Sequence, residues 1–239
     1  ILRLAVKLKL VTPVLYEKYL GWQGLLLSNN IKLYNIIMVV IIDFGMGNLH
    51  SVYTQCKKIE TETIVSSNLN DIHNASKLIL PGVGNFSKAM EKLNNLNFLD
   101  ILNQKVIKQQ TPILGICLGM QLLGKKSEEG GANGLGWVDA ESKIFNFKKA
   151  QYKIPHMGWN NVYVRNTNSI LNGVSEDDEF YFVHSYYMRT VSNDIIVGES
   201  EYGHNFVSVI QKDNIYGTQF HPEKSHDSGK IILKNFLES

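Results

Sequence analysis

Cys117 sits in ILGICLGMQ (113–121), where an apolar run meets Gly115, the cysteine and then Gly119. Strand, Gly, nucleophile, x, Gly, helix is the layout of a nucleophile elbow. The sharp turn pushes the central side chain outward, and the glycines leave room for close backbone packing. A helix opening at Leu118 would aim free N–H groups at the sulfur and favour the thiolate. The Leu118 N–H also lies where an oxyanion would form. The alternative for Cys117 is a small buried hydrophobe in a core, and the motif alone leaves both open.

A thiolate nucleophile needs a general base, and the base needs a group that orients it. TQFHPEKS (218–225) offers both: His221 and Glu223 stand two apart, with Pro222 stiffening the turn. A third stretch, PGVGNF (81–86), flanks Val83 with Gly82 and Gly84, so the backbone could turn its N–H groups toward a ligand. A solvated His-x-Glu loop and an ordinary Gly-rich loop remain open for these two. His50, His73, His204 and His226 lie on helical surfaces or turns, and no His/Cys/Asp spacing suggests a metal.

These pieces need elements that bring them together. MVVIIDF (38–44), TETIVSS (61–67), KLILPG (77–82) and PILGI (112–116) read as strands, the apolar ones buried on both faces. Helical patterns fill 49–60, 86–95, 98–109 and 118–125, with Asn48 as a cap and Cys56 on the buried stripe of the first. This alternation predicts an α/β fold, a doubly wound, mainly parallel sheet. In such sheets sites form at the C-terminal edges of strands, where Cys117 and His221 both fall. The second half changes to short strands at 142–147, 160–165, 179–187, 194–200, 205–211 and 214–220, which adds antiparallel strands, before a closing helix at 226–237.

The chain has 239 residues, a net charge of +2 and two cysteines. That balance argues against a nucleic-acid or membrane partner, and the cysteine count against a disulfide framework. A reducing cytoplasm is the expected compartment. Residues 1–37 carry five Lys/Arg against one acid, while the remainder carries 19 basic and 21 acidic residues. We read 1–37 as an atypical extension, translated from upstream of a start at Met38, and 38–239 as the functional domain. The basic, apolar pattern of 1–37 also fits a membrane-surface helix.

GICLGMQLL, PGVGNF and TQFHPEKS together resemble the site motifs of class I (triad-type) glutamine amidotransferases. YKIPHMGWN (152–160), FYFVHSYY (180–187) and IIDFGMGNLHS (41–51) narrow the resemblance to the glutaminase subunits of imidazole glycerol phosphate synthase. The resemblance implies that Cys117 is the nucleophile, His221 the base and Glu223 its orienter. It implies an oxyanion hole from the backbone of Gly82, Val83, Gly84 and Leu118. Gln121, Glu129, His184, Ser185 and Tyr186 match positions that hold the substrate glutamine. Asn48, Pro155, His156, Met157, Gly158, Trp159, Asn160 and Lys224 match the face toward a (β/α)8-barrel cyclase partner that receives the ammonia. No cofactor or metal is implied. For Trp159 a core aromatic, and for Asn48 a plain helix cap, are the competing readings. Competing functions are a related subunit supplying ammonia to a sugar-modifying enzyme of surface-polysaccharide synthesis, a stand-alone γ-glutamyl hydrolase, and a catalytically silent regulatory module.

Overall fold

A computed structural model describes residues 38–59, 61–147 and 152–239. The reading of 1–37 falls outside the described residues.

The strands are β1 (Met38–Ile42), β2 (Glu62–Ser66), β3 (Lys77–Gly82), β4 (Ile113–Cys117), β5 (Lys126–Ser127), β6 (Ala140–Ile144), β7 (His156–Asn161), β8 (Tyr163–Val164), β9 (Glu179–His184), β10 (Tyr186–Thr190), β11 (Ile196–Glu201), β12 (Asn205–Lys212) and β13 (Ile215–Thr218). The helices are α1 (Leu49–Lys58), α2 (Leu69–Asn74), α3 (Phe86–Asn95), α4 (Phe98–Asn103), α5 (Leu118–Leu122) and α6 (His226–Glu238).

One sheet runs β2-β1-β3-β4-β13-β12-β10-β6-β5, with β11 bridging β12 to β8. Its first five strands are parallel. Apart from the short parallel pair β5–β6, the pairings beyond β13 are antiparallel. The parallel part follows from composition: Val39, Val40, Ile41, Leu78, Ile79, Leu80, Ile113 and Leu114 are fully buried, as strands covered on both faces require. Each such side chain contributes about 1.5–3 kcal/mol on burial. The two cores lie on opposite faces, because successive residues of a strand alternate: Val40, Ile42, Leu78 and Leu80 on one, Val39, Ile41, Ile79 and Leu114 on the other.

The expected elements appear with several differences. The run 179–187 divides into β9 and β10, which lie in different sheets, and 160–165 divides between the end of β7 and β8. The 98–109 helix becomes α4 followed by a π-helical turn at Gln104–Lys108, which buries Lys105 and Val106. The helix after Cys117 ends at Leu122, where the carbonyls of Leu122, Leu123 and Gly124 accept instead from the N–H groups of Leu135, Trp137 and Gly136. Helix α2 was not read in advance; Asn68 caps it through a bond from the Asn70 N–H, and only Ile72 is buried in it. PHMGWN, read only as a motif, forms β7, which pairs antiparallel with β9 in a separate two-stranded sheet.

Candidate active site

Cys117 ends β4 and adopts φ 55°, ψ −109°, a left-handed conformation that an L side chain enters only at a cost. The bend is held by close backbone contacts. A Cβ on Gly119 would collide with the Leu80 carbonyl oxygen, and one on Gly115 would come within 2.7 Å of the Gly119 oxygen. Sγ is thereby presented at the C-terminal edge of the sheet while the residue stays 6% exposed. Helix α5 is only five residues long, so what faces the sulfur is its first free N–H groups more than a long macrodipole.

His221 follows β13, the parallel neighbour of β4, which brings the two motifs to one edge. The His221 N–H donates to the Tyr181 carbonyl (2.9 Å), and its own carbonyl accepts from Ser225 Oγ (2.7 Å). Ser225 Oγ in turn accepts from the Tyr181 N–H, so the HPE turn is stitched to β9. His221 Nδ1 lies 2.8 Å from Glu223 Oε1, both side chains sealed from solvent. A carboxylate only accepts, so Nδ1 carries the hydrogen and Nε2 is the nitrogen left for proton exchange. Burial by itself would push the imidazole down. The neighbouring Cys117 thiol, then the hydrogen bond and charge of Glu223, outweigh it and raise His221 to about 10.

A cavity of about 290 Å³ opens beside Sγ. Val83, Gly84, Leu118, Gln121, Glu129, His184, Ser185 and Tyr186 border it, so the stretches read separately from sequence converge here. Gly82 stands beside Cys117 in the β3–β4 ladder, and Gly84 has φ 101° in the following loop. Glu129 reaches back to accept the Phe86 N–H (2.6 Å) at the start of α3. Burial, then the carboxylates of Glu129 and Glu128, push the Tyr186 phenol up. Gln121 is 4% exposed, and its amide nitrogen donates to the Tyr186 carbonyl (2.9 Å) and to Gln219 Oε1 (3.1 Å). Both N–H groups being committed, only its carbonyl oxygen can meet a ligand. Among the described residues no group of three His, Cys, Asp or Glu side chains could hold a metal ion. No described helix is long and apolar enough to cross a membrane.

The stretch expected to face a partner divides by strand alternation. Met157 (62% exposed) and Trp159 (44%) project outward, so Trp159 is not a core aromatic; it stacks on His226. Lys224 lies over the Tyr181 ring on the same side. His156 corrects the expectation: it is buried against Phe182 and Tyr202, and its Nδ1 lies 2.9 Å from His184 Nε2. Asn160 points inward too, donating to the Glu201 carbonyl. Pro155 borders the cavity, and Gly158 has open space where a Cβ would stand. Asn48 caps α1 through the Ser51 N–H.

Sequence reasoning missed Gln219, which is fully buried with Nε2 3.7 Å from Sγ. Gln219 stands at a bend just past β13, two residues before His221, and only the fold turns it to the sulfur. Val183, whose carbonyl lies 3.8 Å from Sγ, was also missed.

A profile described as "Glutamine amidotransferase class-I" matches residues 40–239. Imidazole glycerol phosphate synthase subunit HisH 2 of Pseudomonas aeruginosa is 44% identical over 201 residues, 84% of this chain and 99% of that protein. HisH 2 of Methanococcus maripaludis is 46% identical with the same coverage. A glutamine amidotransferase crystal structure superimposes with a TM-score of 0.64 at 16% identity, covering 83% of this chain and 97% of that one. Another, from Thermotoga maritima, gives 0.57 at 18%, covering 80% and 77%. At such identities the two structures speak for the fold, which is α/β as the sequence implied. The match along the chain carries the lineage: this protein belongs to the class-I glutamine amidotransferases and, among them, to the HisH subunits.

Proposed function

We propose that residues 38–239 form a glutaminase domain that hydrolyses glutamine to glutamate and ammonia for a partner subunit in imidazole glycerol phosphate formation, a step of histidine biosynthesis. The observation that carries this is the sealed His221–Glu223 pair following β13, the strand beside β4, whose terminal Cys117 has a positive φ and lines a cavity. Its relatives are named as synthase subunits, which supports a partner. The partner is a (β/α)8-barrel cyclase, docked on the face of Met157, Trp159 and Lys224. The two free thiols suit a reducing cytoplasm.

In this mechanism the Cys117 proton rests on His221 Nε2, favoured by the raised imidazole. Sγ attacks glutamine Cδ, and the carbonyl electrons move to oxygen. Backbone N–H groups of Val83 and Leu118 stabilise that oxyanion, each worth about 3–4 kcal/mol in the transition state. The C–N bond breaks as His221 protonates the leaving ammonia. Water, losing its proton to the same imidazole, then opens the γ-glutamyl thioester and restores the thiol. Glu223 holds Nδ1–H throughout and fixes the ring. Glu129 suits the substrate ammonium by charge.

A glutamine-like diazo-ketone tests the reading. With partner and acceptor present it should label Cys117 stoichiometrically, and an unmodified Cys117 overturns the enzyme assignment. Rescue of a histidine auxotroph lacking its own glutaminase subunit tests the pathway. Labelling without rescue would assign the ammonia to a different acceptor, such as a modified sugar.

A further inference from the structure

Gln219 belongs to none of the roles above, yet its side chain is fully buried and ends against the nucleophile. An amide can be turned either way, so the polarity of its contacts must come from a group that has no choice. The Tyr186 carbonyl is that group, because it only accepts. It receives Gln121 Nε2 at 2.9 Å, which fixes Gln121 with its nitrogen inward. The second hydrogen of that nitrogen requires an acceptor, and Gln219 Oε1 at 3.1 Å supplies it. Gln219 Nε2 is then left facing Sγ at 3.7 Å as a donor. The Gln219 backbone is held as well, its N–H donating to the Ser208 carbonyl (2.8 Å).

The same carbonyl orients a second branch. His184 Nδ1 donates to Tyr186 O (2.8 Å), so its Nε2 accepts from His156 Nδ1, and His156 Nε2 accepts from Asn160 Nδ2 (3.4 Å). Burial keeps both rings neutral, which this pattern requires.

We propose that Gln219 is a positioning residue for the nucleophile: a chain of amides, directed by the Tyr186 carbonyl through Gln121, presents a fixed N–H donor to the Cys117 sulfur and favours its anionic form. This rests on the reading of Cys117 as the nucleophile. A hydrogen bond to an ion stabilises it more than one to a neutral group, so the donor acts mainly on the thiolate. The titratable groups around the sulfur are His221 with Glu223 behind it, and His184, Glu129 and Tyr186 at the cavity. Substituting Gln219 leaves all of them in place.

The test is the pH profile of Cys117 alkylation by iodoacetamide in the full chain, followed by peptide mass. Cys56 does not compete, being fully buried with its thiol pushed up to about 12. Gln219→Met should move the profile about one pH unit higher. Gln219→Glu, equal in shape, should move it further, because a carboxylate then faces the sulfur. Gln121→Met should also raise it, and Gln121→Met/Gln219→Met should move it no further than Gln219→Met alone, since both act through one donor. Profiles that superimpose on the parent in the folded variants overturn the proposal, as does a double variant whose shifts add. If Gln219→Met does not fold, Gln219→Glu decides by the same criterion. Failure of the unsubstituted chain to hydrolyse glutamine with its partner would sink the glutaminase reading instead and leave this comparison standing.

Discussion

His221 Nδ1 lies 2.8 Å from Glu223 Oε1, although only Pro222 separates the two residues. A short 3₁₀ turn over Pro222–Lys224 folds the carboxylate back beneath the ring, and both side chains are lost to solvent. The contact is local in sequence, but its consequence is not, because it leaves Nε2 for a sulfur that lies 104 residues earlier in the chain.

Glu223→Gln should lower glutaminase kcat by on the order of 10² or more, since the amide can present N–H to the ring and select the wrong tautomer. The alkaline limb should move as well. Leaving-group protonation needs the imidazolium, so activity falls as pH rises through about 10. Glu223 is one cause of that raised value, so its loss shifts the limb to lower pH. A kcat–pH profile of parent and variant with the partner present checks both.

Cys117→Ser should cut glutamate release by roughly 10⁴-fold while lowering the unfolding free energy by only about 1 kcal/mol. The measurement pairs a glutamate assay with urea unfolding. Residual activity near that of the parent would remove Cys117 from the chemistry.

Gly119→Ala should destabilise the domain by about 3 kcal/mol or more, because the new methyl would meet the Leu80 carbonyl. Backbone cannot give way as a side chain can. Chemical denaturation reads the effect directly.

The His156–His184 pair makes stability depend on acid. Both rings are pushed down by burial, to about 4 and about 3, from an ordinary 6.5. Below 6.5 the unfolded chain takes up protons that the folded rings refuse. Stability from this pair is therefore complete above 6.5 and falls as pH drops toward 3–4. His221 has the opposite sign: its contribution is complete below 6.5 and is lost as pH rises toward about 10. Thermal unfolding from pH 7.5 to 4 should show a steeper loss for the parent than for His156→Gln.

Trp159→Ala should weaken binding of the partner subunit by about 2 kcal/mol or more, as an exposed aromatic anchor does, with little change in the domain's own unfolding. Isothermal titration against the purified partner measures the first and calorimetric unfolding the second.

Much of this was legible in the chain itself. The Ile113–Cys117 run followed by Gly119 specified a buried strand and a bend with the cysteine at its apex, because apolar burial and glycine geometry act over a few residues. Asn48 marked a helix start for the same local reason. His221-Pro222-Glu223 carried its own ion pair. Tertiary structure alone decided the rest. The parallel pairing of β4 with β13 brought Cys117 to His221, and no local signal sets which strands become neighbours. Strand pairing in β7–β9 turned His156 inward and Trp159 outward, which a motif read as a block could not divide. The Tyr186 carbonyl fixed the direction of the Gln121–Gln219 chain, because hydrogen-bond polarity in a buried network depends on which group, brought from afar, can only accept.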